Sequence, residues 1–132
     1  MGGPYTLQSQ DKSGNRGTLH IWKLPFAVVR MFQISDVPPG EYRGKHAHKT
    51  CEQIIICTAG SFYLTTSAKT ERRWYMRPGR AVYVPARHWI TLDDFSADGT
   101  ALVLASEEYT EPVSNWAEFY ALINGDRDDP VC

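Results

Sequence analysis

Residues that turn the chain recur at short, regular intervals. Pro25, Pro38-Pro39-Gly40, Ala59-Gly60-Ser61, Pro78-Gly79, Pro85 and the loop from Asp94 to Gly99 all interrupt apolar or alternating runs. Proline fixes φ and lacks a backbone donor, and glycine admits left-handed turns. Between these signals there is room for single short strands. The expected strands run from Arg16 to Ile21, Phe26 to Ile34, through the stretch around His46, then Ile54 to Cys57, Phe62 to Thr66, Arg72 to Met76, Ala81 to Val84, His88 to Leu92 and Thr100 to Ala105. Such a series closes into a sandwich or small barrel, with a cavity at one mouth.

Two stretches fall outside that pattern. Residues 1–15 are polar and glycine-rich, and read as a leader with a turn at Ser13-Gly14-Asn15. Near the other end, Asn115 is placed as a helix N-cap with Glu118 three residues on. Trp116, Phe119, Tyr120 and Ile123 then share one helical face, and Gly125 reads as the stop. The expected organisation is a single domain over residues 1–132, with a barrel over 16–110, a helix over 115–124 and a loose acidic tail over 126–132.

Composition narrows the partners. With 14 basic and 15 acidic residues the net charge is −1, which points to neither nucleic acid nor an anionic membrane. Apolar residues make up 42% of the chain, enough for one core, yet no run approaches a membrane span. Cys51, Cys57 and Cys132 have no CxxC spacing and read as reduced thiols of a cytoplasmic protein.

The chemistry concentrates in Gly40-Glu41-Tyr42-Arg43-Gly44-Lys45-His46-Ala47-His48-Lys49-Thr50-Cys51-Glu52-Gln53. On a strand, His46 and His48 project to one face and Ala47 to the other. Two imidazoles with pKa values near neutrality in one cavity suit metal binding or acid–base catalysis. Arg43 offers a planar fork to phosphate or sugar oxygens. Gln53 can hydrogen-bond sugar hydroxyls or His46.

The spacing carries a resemblance. Gly40, five residues, His46-x-His48, three residues, Glu52 and then Gly60 resembles the first conserved motif of the cupin superfamily. Gly79, five residues, Pro85 resembles part of the second. Within cupins, the run Arg43 to Lys49 with Glu52-Gln53 is similar to the WxcM-like sugar 3,4-ketoisomerases. Asp94-Phe95-Ser96, Leu102 to Ser106 and Arg16-Gly17-x-Leu19 fit the same family.

The resemblance implies an all-β cupin jelly-roll barrel with a short C-terminal helix. It implies an isomerase that moves the ketone of dTDP-4-keto-6-deoxy-D-glucose from C4 to C3, supplying precursors of aminated deoxysugars. It implies no metal and no cofactor, and a homodimer that exchanges an N-terminal strand. His46 and His48 would be catalytic, one on carbon and one on oxygen, in either order. Arg43, Arg16, Gln53, Arg87 and His88 would bind substrate. Arg16 at the early position inclines the product toward the galacto form. Metal-binding cupins place a histidine at the position of Ile90, which cannot ligate; His88, two residues earlier, is the nearest substitute. Three other readings stay open: a metal-dependent cupin using His46, His48 and Glu52, a 3,5-epimerase, and a non-catalytic sugar-binding cupin.

Overall fold

The computed structural model describes residues 2–128. Eleven strands precede one helix. In order they are β1 (Tyr5–Thr6), β2 (Gln10–Gly14), β3 (Gly17–Ile21), β4 (Arg30–Ile34), β5 (Tyr42–His46) and β6 (Gln53–Ala59). Then come β7 (Phe62–Ser67), β8 (Glu71–Met76), β9 (Ala81–Val84), β10 (Trp89–Asp93), β11 (Thr100–Ala105) and α1 (Trp116–Asp128). A five-stranded sheet in the order β1-β9-β6-β11-β4 faces a four-stranded sheet in the order β5-β10-β7-β8. All pairings are antiparallel, which gives the two-sheet jelly roll expected of a cupin.

The core lies between the sheets. Strict alternation sends Phe62, Leu64 and Thr66 inward from β7, and Ile90 and Leu92 inward from β10. Ile55 and Cys57 meet them from β6, and Ala101, Val103 and Ala105 from β11. Phe62 stacks on Phe95 at 4.9 Å, closing the end remote from the histidines.

One irregularity shapes the functional end. In the β5–β10 ladder, Ile90 pairs with His46 and Thr91 with Gly44, so Lys45 has no partner opposite. Gly44 and Lys45 both have positive φ, 92° and 62°. This is a bulge, and it resets the alternation of β5. Arg43 and His46, three apart, would otherwise point to opposite faces. After the bulge both line the barrel interior. Only glycine fits at position 44, where an added Cβ would lie 2.7 Å from the carbonyl oxygen of Ile90.

The structure differs from the sequence reading in several places. The polar leader contains β1 and β2. β1 is held by Tyr5 against Tyr83 on β9, with ring centroids 5.0 Å apart. β2 has no apolar alternation; polar pairs such as Ser13 with Thr18 and Asp11 with His20 join it to β3. Residues 26–29 are not strand, and pairing begins only at Arg30.

The histidine strand ends at His46, and Ala47 makes an isolated bridge to Val113. Asn115 does cap α1, its side chain accepting the Glu118 amide at 3.1 Å. Gly125, however, does not end the helix, which continues to Asp128. Of the expected apolar face, Phe119 is fully buried but Trp116 and Tyr120 are more than half exposed. Residues 126–128 of the expected loose tail are helical, and 129–132 lie outside the described residues.

Candidate active site

His46 and His48 stand together as the alternation requires. Their ring centroids are 5.1 Å apart and the planes cross at 69°. Three contacts fix this segment. Ala47 turns away into a buried cluster with Val113 and Phe119, and its backbone exchanges hydrogen bonds of 2.8 and 2.9 Å with Val113. The Arg87 amide donates to the His48 carbonyl at 2.8 Å. Behind them, Trp89 packs on Trp116 and Phe119 of α1. The helix therefore braces the histidine segment from the side away from the cavity.

A cavity of about 80 Å³ opens at this end of the barrel. His46, Arg43 and Gln53 are its polar lining, and Phe32, Ile55, Ile90 and Val103 supply apolar walls. The Nδ1 atoms of both histidines are buried without a hydrogen-bond partner. Buried polar atoms are rarely left unpaired, so these two are candidates for engaging a ligand. Ile90, 4% exposed, fills the place where a metal-binding cupin carries its last histidine.

Burial pushes both imidazoles below the usual range. His46 is lowered by desolvation, with the Arg43 charge acting in the same direction. His48 is lowered to about 4, first by burial, then by His46 and Arg30, while Glu107 opposes the shift. Both rings are thus neutral at pH 7 and able to accept protons. The unfolded imidazole, near 6.5, binds protons that the folded His48 refuses. Folding stability should therefore fall as pH drops below 6.5, and the full effect of about 3 kcal/mol should be reached near pH 4. Urea unfolding across that range, compared with His48→Asn, checks this. An equal pH dependence in the two proteins would refute it.

Arg30, Glu107 and Tyr109 belong to the surroundings of the pair, and nothing in the sequence marked them. Arg30 Nε donates to the Glu107 carbonyl at 3.2 Å, and its guanidinium lies 5.1 Å from the Phe32 ring centre and 5.7 Å from that of Tyr109. Glu107 accepts from Thr50 Oγ1 at 2.9 Å. Arg30 faces inward in one row with Ala105 and Gln53, and the small Ala105 leaves a slot between the two longer side chains. The only signal for Arg30 was its place within the expected strand from Phe26 to Ile34.

The remaining expected residues divide. Arg43 and Gln53 join His46 in the cavity. Arg87 and His88 line a separate recess with Arg72, and His88 Nδ1 lies 3.0 Å from the Ala86 carbonyl, so His88 does not replace Ile90 in the cavity wall. Arg16 sits at the exposed tip of the β2–β3 hairpin, away from the cavity of its own chain.

Glu52, the third position of the cupin motif, lies on the opposite side of β6 from Gln53. There its carboxylate accepts a 2.6 Å hydrogen bond from Tyr83. Burial and this bond raise the Tyr83 phenol well above its ordinary value. His46, His48 and Glu52 do not converge, and no group of three metal-ligating side chains forms among the described residues.

A two-sheet antiparallel jelly roll with His46 lining the cavity at one end, and His48 packed beside it, is a cupin barrel. The family described as FdtA, WxcM-like, C-terminal matches residues 6–124, and the chain belongs to it. A TDP-4-oxo-6-deoxy-alpha-D-glucose-3,4-oxoisomerase from Aneurinibacillus thermoaerophilus is 32% identical over 112 residues, covering 80% of this chain and 81% of that protein. A 3,4-ketoisomerase from Helicobacter canadensis superposes with a TM-score of 0.83 at 29% identity, over 92% of this chain and 97% of the other. The WlaRB TDP-quinovose 3,4-ketoisomerase from Campylobacter jejuni gives 0.81 at 30% identity, over 89% and 96%.

Proposed function

We propose that this chain is a 3,4-ketoisomerase of dTDP-4-keto-6-deoxy-D-glucose that works without a metal. The observation that carries this reading is the pair of adjacent imidazoles held neutral by burial, His46 lining the cavity and His48 beside it, in a chain of this family. His46 removes the proton on C3, alpha to the ketone. The electron pair forms an enediol, C4 then takes a proton from the same ring, and His48 carries a proton between O3 and O4. No oxidant or reductant is needed. Arg43 and Gln53, which line the cavity beside His46, hold the sugar oxygens. The outward turn of Glu52 and the presence of Ile90 speak against the His46, His48 and Glu52 metal set.

Proton NMR of the substrate in D2O with excess EDTA tests this. A 3-keto sugar should appear with deuterium at C4, and its C4 coupling constants should show the galacto form that Arg16 favours. Deuterium at C5 would mean an epimerase, and turnover only after a divalent ion is added would mean a metal enzyme.

The protein works as a homodimer in the cytoplasm, on this reading. Every residue of β2 and β3 is exposed, including Leu19 at 57%, as are Met31 on the outer edge strand β4 and Val29 just before it. An exposed arm of this kind covers a second copy and carries Arg16 toward the partner's cavity. Light scattering should give twice the chain mass of 14.9 kDa, and a monomer would refute the arrangement. Among the described residues no helix is long and apolar enough to cross a membrane.

A further inference from the structure

The cavity is smaller than a sugar needs. Its volume of about 80 Å³ compares with about 300 to 1,000 Å³ for a site that encloses a small ligand. A hexose ring that enters it must extend past the lining residues. Two groups stand next to that lining on opposite sheets. One is His48, beside His46, with its Nδ1 buried and unpartnered. The other is Arg30.

Arg30 opens β4 and faces inward in the row Arg30, Ala105 and Gln53. Its guanidinium lies 5.1 Å from the centre of the Phe32 ring, and Phe32 is part of the cavity wall. Its charge is near enough to His48 to disfavour a proton on that ring, as the charge of Arg43 does for His46. Each histidine thus has an arginine of its own.

The guanidinium is held from one side. Nε donates to the Glu107 carbonyl at 3.2 Å, and the Tyr109 ring centre lies 5.7 Å away. The Glu107 carboxylate is turned to Thr50. Among the described residues neither Nη nitrogen makes a hydrogen bond or an ion pair. An arginine anchored through Nε, with its terminal nitrogens open, is preorganised to meet ligand oxygens. Across the small Ala105 stands Gln53, 4% exposed, two strands or roughly 10 Å away at ~4.8 Å per strand.

The reaction calls for a cation at this place. When C3 loses its proton, the C3–H electron pair becomes a C3–C4 double bond, and the C4=O pair moves onto O4. O4 then takes a proton and O3 gives one up. As C3=O forms, the double-bond pair returns to bind a proton at C4. With His48 moving protons between O3 and O4, the group beside His48 lies along the oxygen edge of the sugar.

We propose that Arg30 is a further catalytic residue, whose terminal nitrogens hold O3 and O4 and stabilise the negative charge on O4 as the enediolate forms. The assignment rests on the ketoisomerase reading, with His48 serving the oxygens.

Steady-state kinetics of Arg30→Ala and Arg30→Lys on dTDP-4-keto-6-deoxy-D-glucose test it. Arg30→Ala should lower kcat by about 10²- to 10³-fold, the usual loss for an oxyanion donor, with a far smaller change in KM. Arg30→Lys keeps the charge without the fork and should recover about 10-fold of that loss. Free guanidinium, well below denaturing concentration, should raise the turnover of Arg30→Ala and leave the wild type unchanged. With substrate deuterated at C3, the isotope effect on kcat should be larger in Arg30→Ala, because the C3–H step is the one slowed.

Turnover of Arg30→Ala within about 3-fold of wild type would overturn the assignment alone. So would a slow variant that guanidinium does not rescue and whose isotope effect is unchanged, since that is the pattern of a packing role. Should Arg30→Ala fail to fold by circular dichroism, wild-type kcat in Arg30→Lys would overturn it, because a point charge does not replace the fork. A wild-type chain without turnover would overturn the ketoisomerase reading and this assignment with it.

Discussion

Replacing His46 by asparagine should lower kcat by about 10³-fold while the chain remains folded, because a positioned general base contributes 10² to 10⁴ in rate. Asparagine keeps a polar side chain of similar reach but cannot accept the C3 proton. His48→Asn should also lose about 10²-fold or more, since proton transfer on oxygen is a separate step. The two losses should differ in kind. If His46 works on carbon, wash-in of deuterium at C4 should stop in His46→Asn and persist, slowed, in His48→Asn. The opposite pattern would exchange the two roles. Near wild-type turnover in both variants would end the histidine mechanism. Circular dichroism of each variant excludes unfolding as the cause.

Gly44→Ala should damage both the fold and the site. The residue combines φ of 92° with a carbonyl oxygen only 2.7 Å from where the new Cβ must go. Left-handed strain and the clash together should cost about 2 to 4 kcal/mol, or about 10 °C in Tm for a domain of this size. Relief of the clash requires β5 to move away from β10, which carries His46 and Arg43 with it. Activity should therefore drop even below the melting transition. Gly40→Ala is the control: φ there is also positive, at 82°, but nothing lies within 4 Å of the added carbon. Thermal melting and turnover of the two variants, measured side by side, decide whether packing against Ile90 matters beyond φ. Equal losses would show that it does not.

The strands and the histidine pair were legible because their signals are local. Alternation in Phe62 to Thr66, and apolar continuity in Thr100 to Ala105, each depend only on a few adjacent residues. The two imidazoles needed only a spacing of two. What was hidden depends on residues far apart in sequence. The bulge at Lys45 is defined by the register of β10, some 45 positions later. Arg30 and Glu107 come together only through the β4–β11 pairing. His88 shares parity with Ile90 on paper, but β10 begins at Trp89, so the parity does not extend to it. β2 escaped notice because its cross-strand bonds are polar, and Gly125 was overread because a glycine can be carried within a helix at modest cost.

The outward turn of Glu52 has a further consequence, for the sign of charge inside the barrel. Among the residues that line the cavity, the one formal charge is that of Arg43, and it is positive. A carboxylate left inside would repel the negative oxygen that develops when C3 loses its proton, and would draw protons onto the nearby rings. With Glu52 tied to Tyr83 on the other side of β6, the cavity presents only dipoles and a cation to that oxygen. In a dry site such a field favours the enediolate over the ketone, with little rearrangement during the reaction. The same feature should make the cavity a poor host for cations, so that small divalent ions at cellular concentrations pass it by.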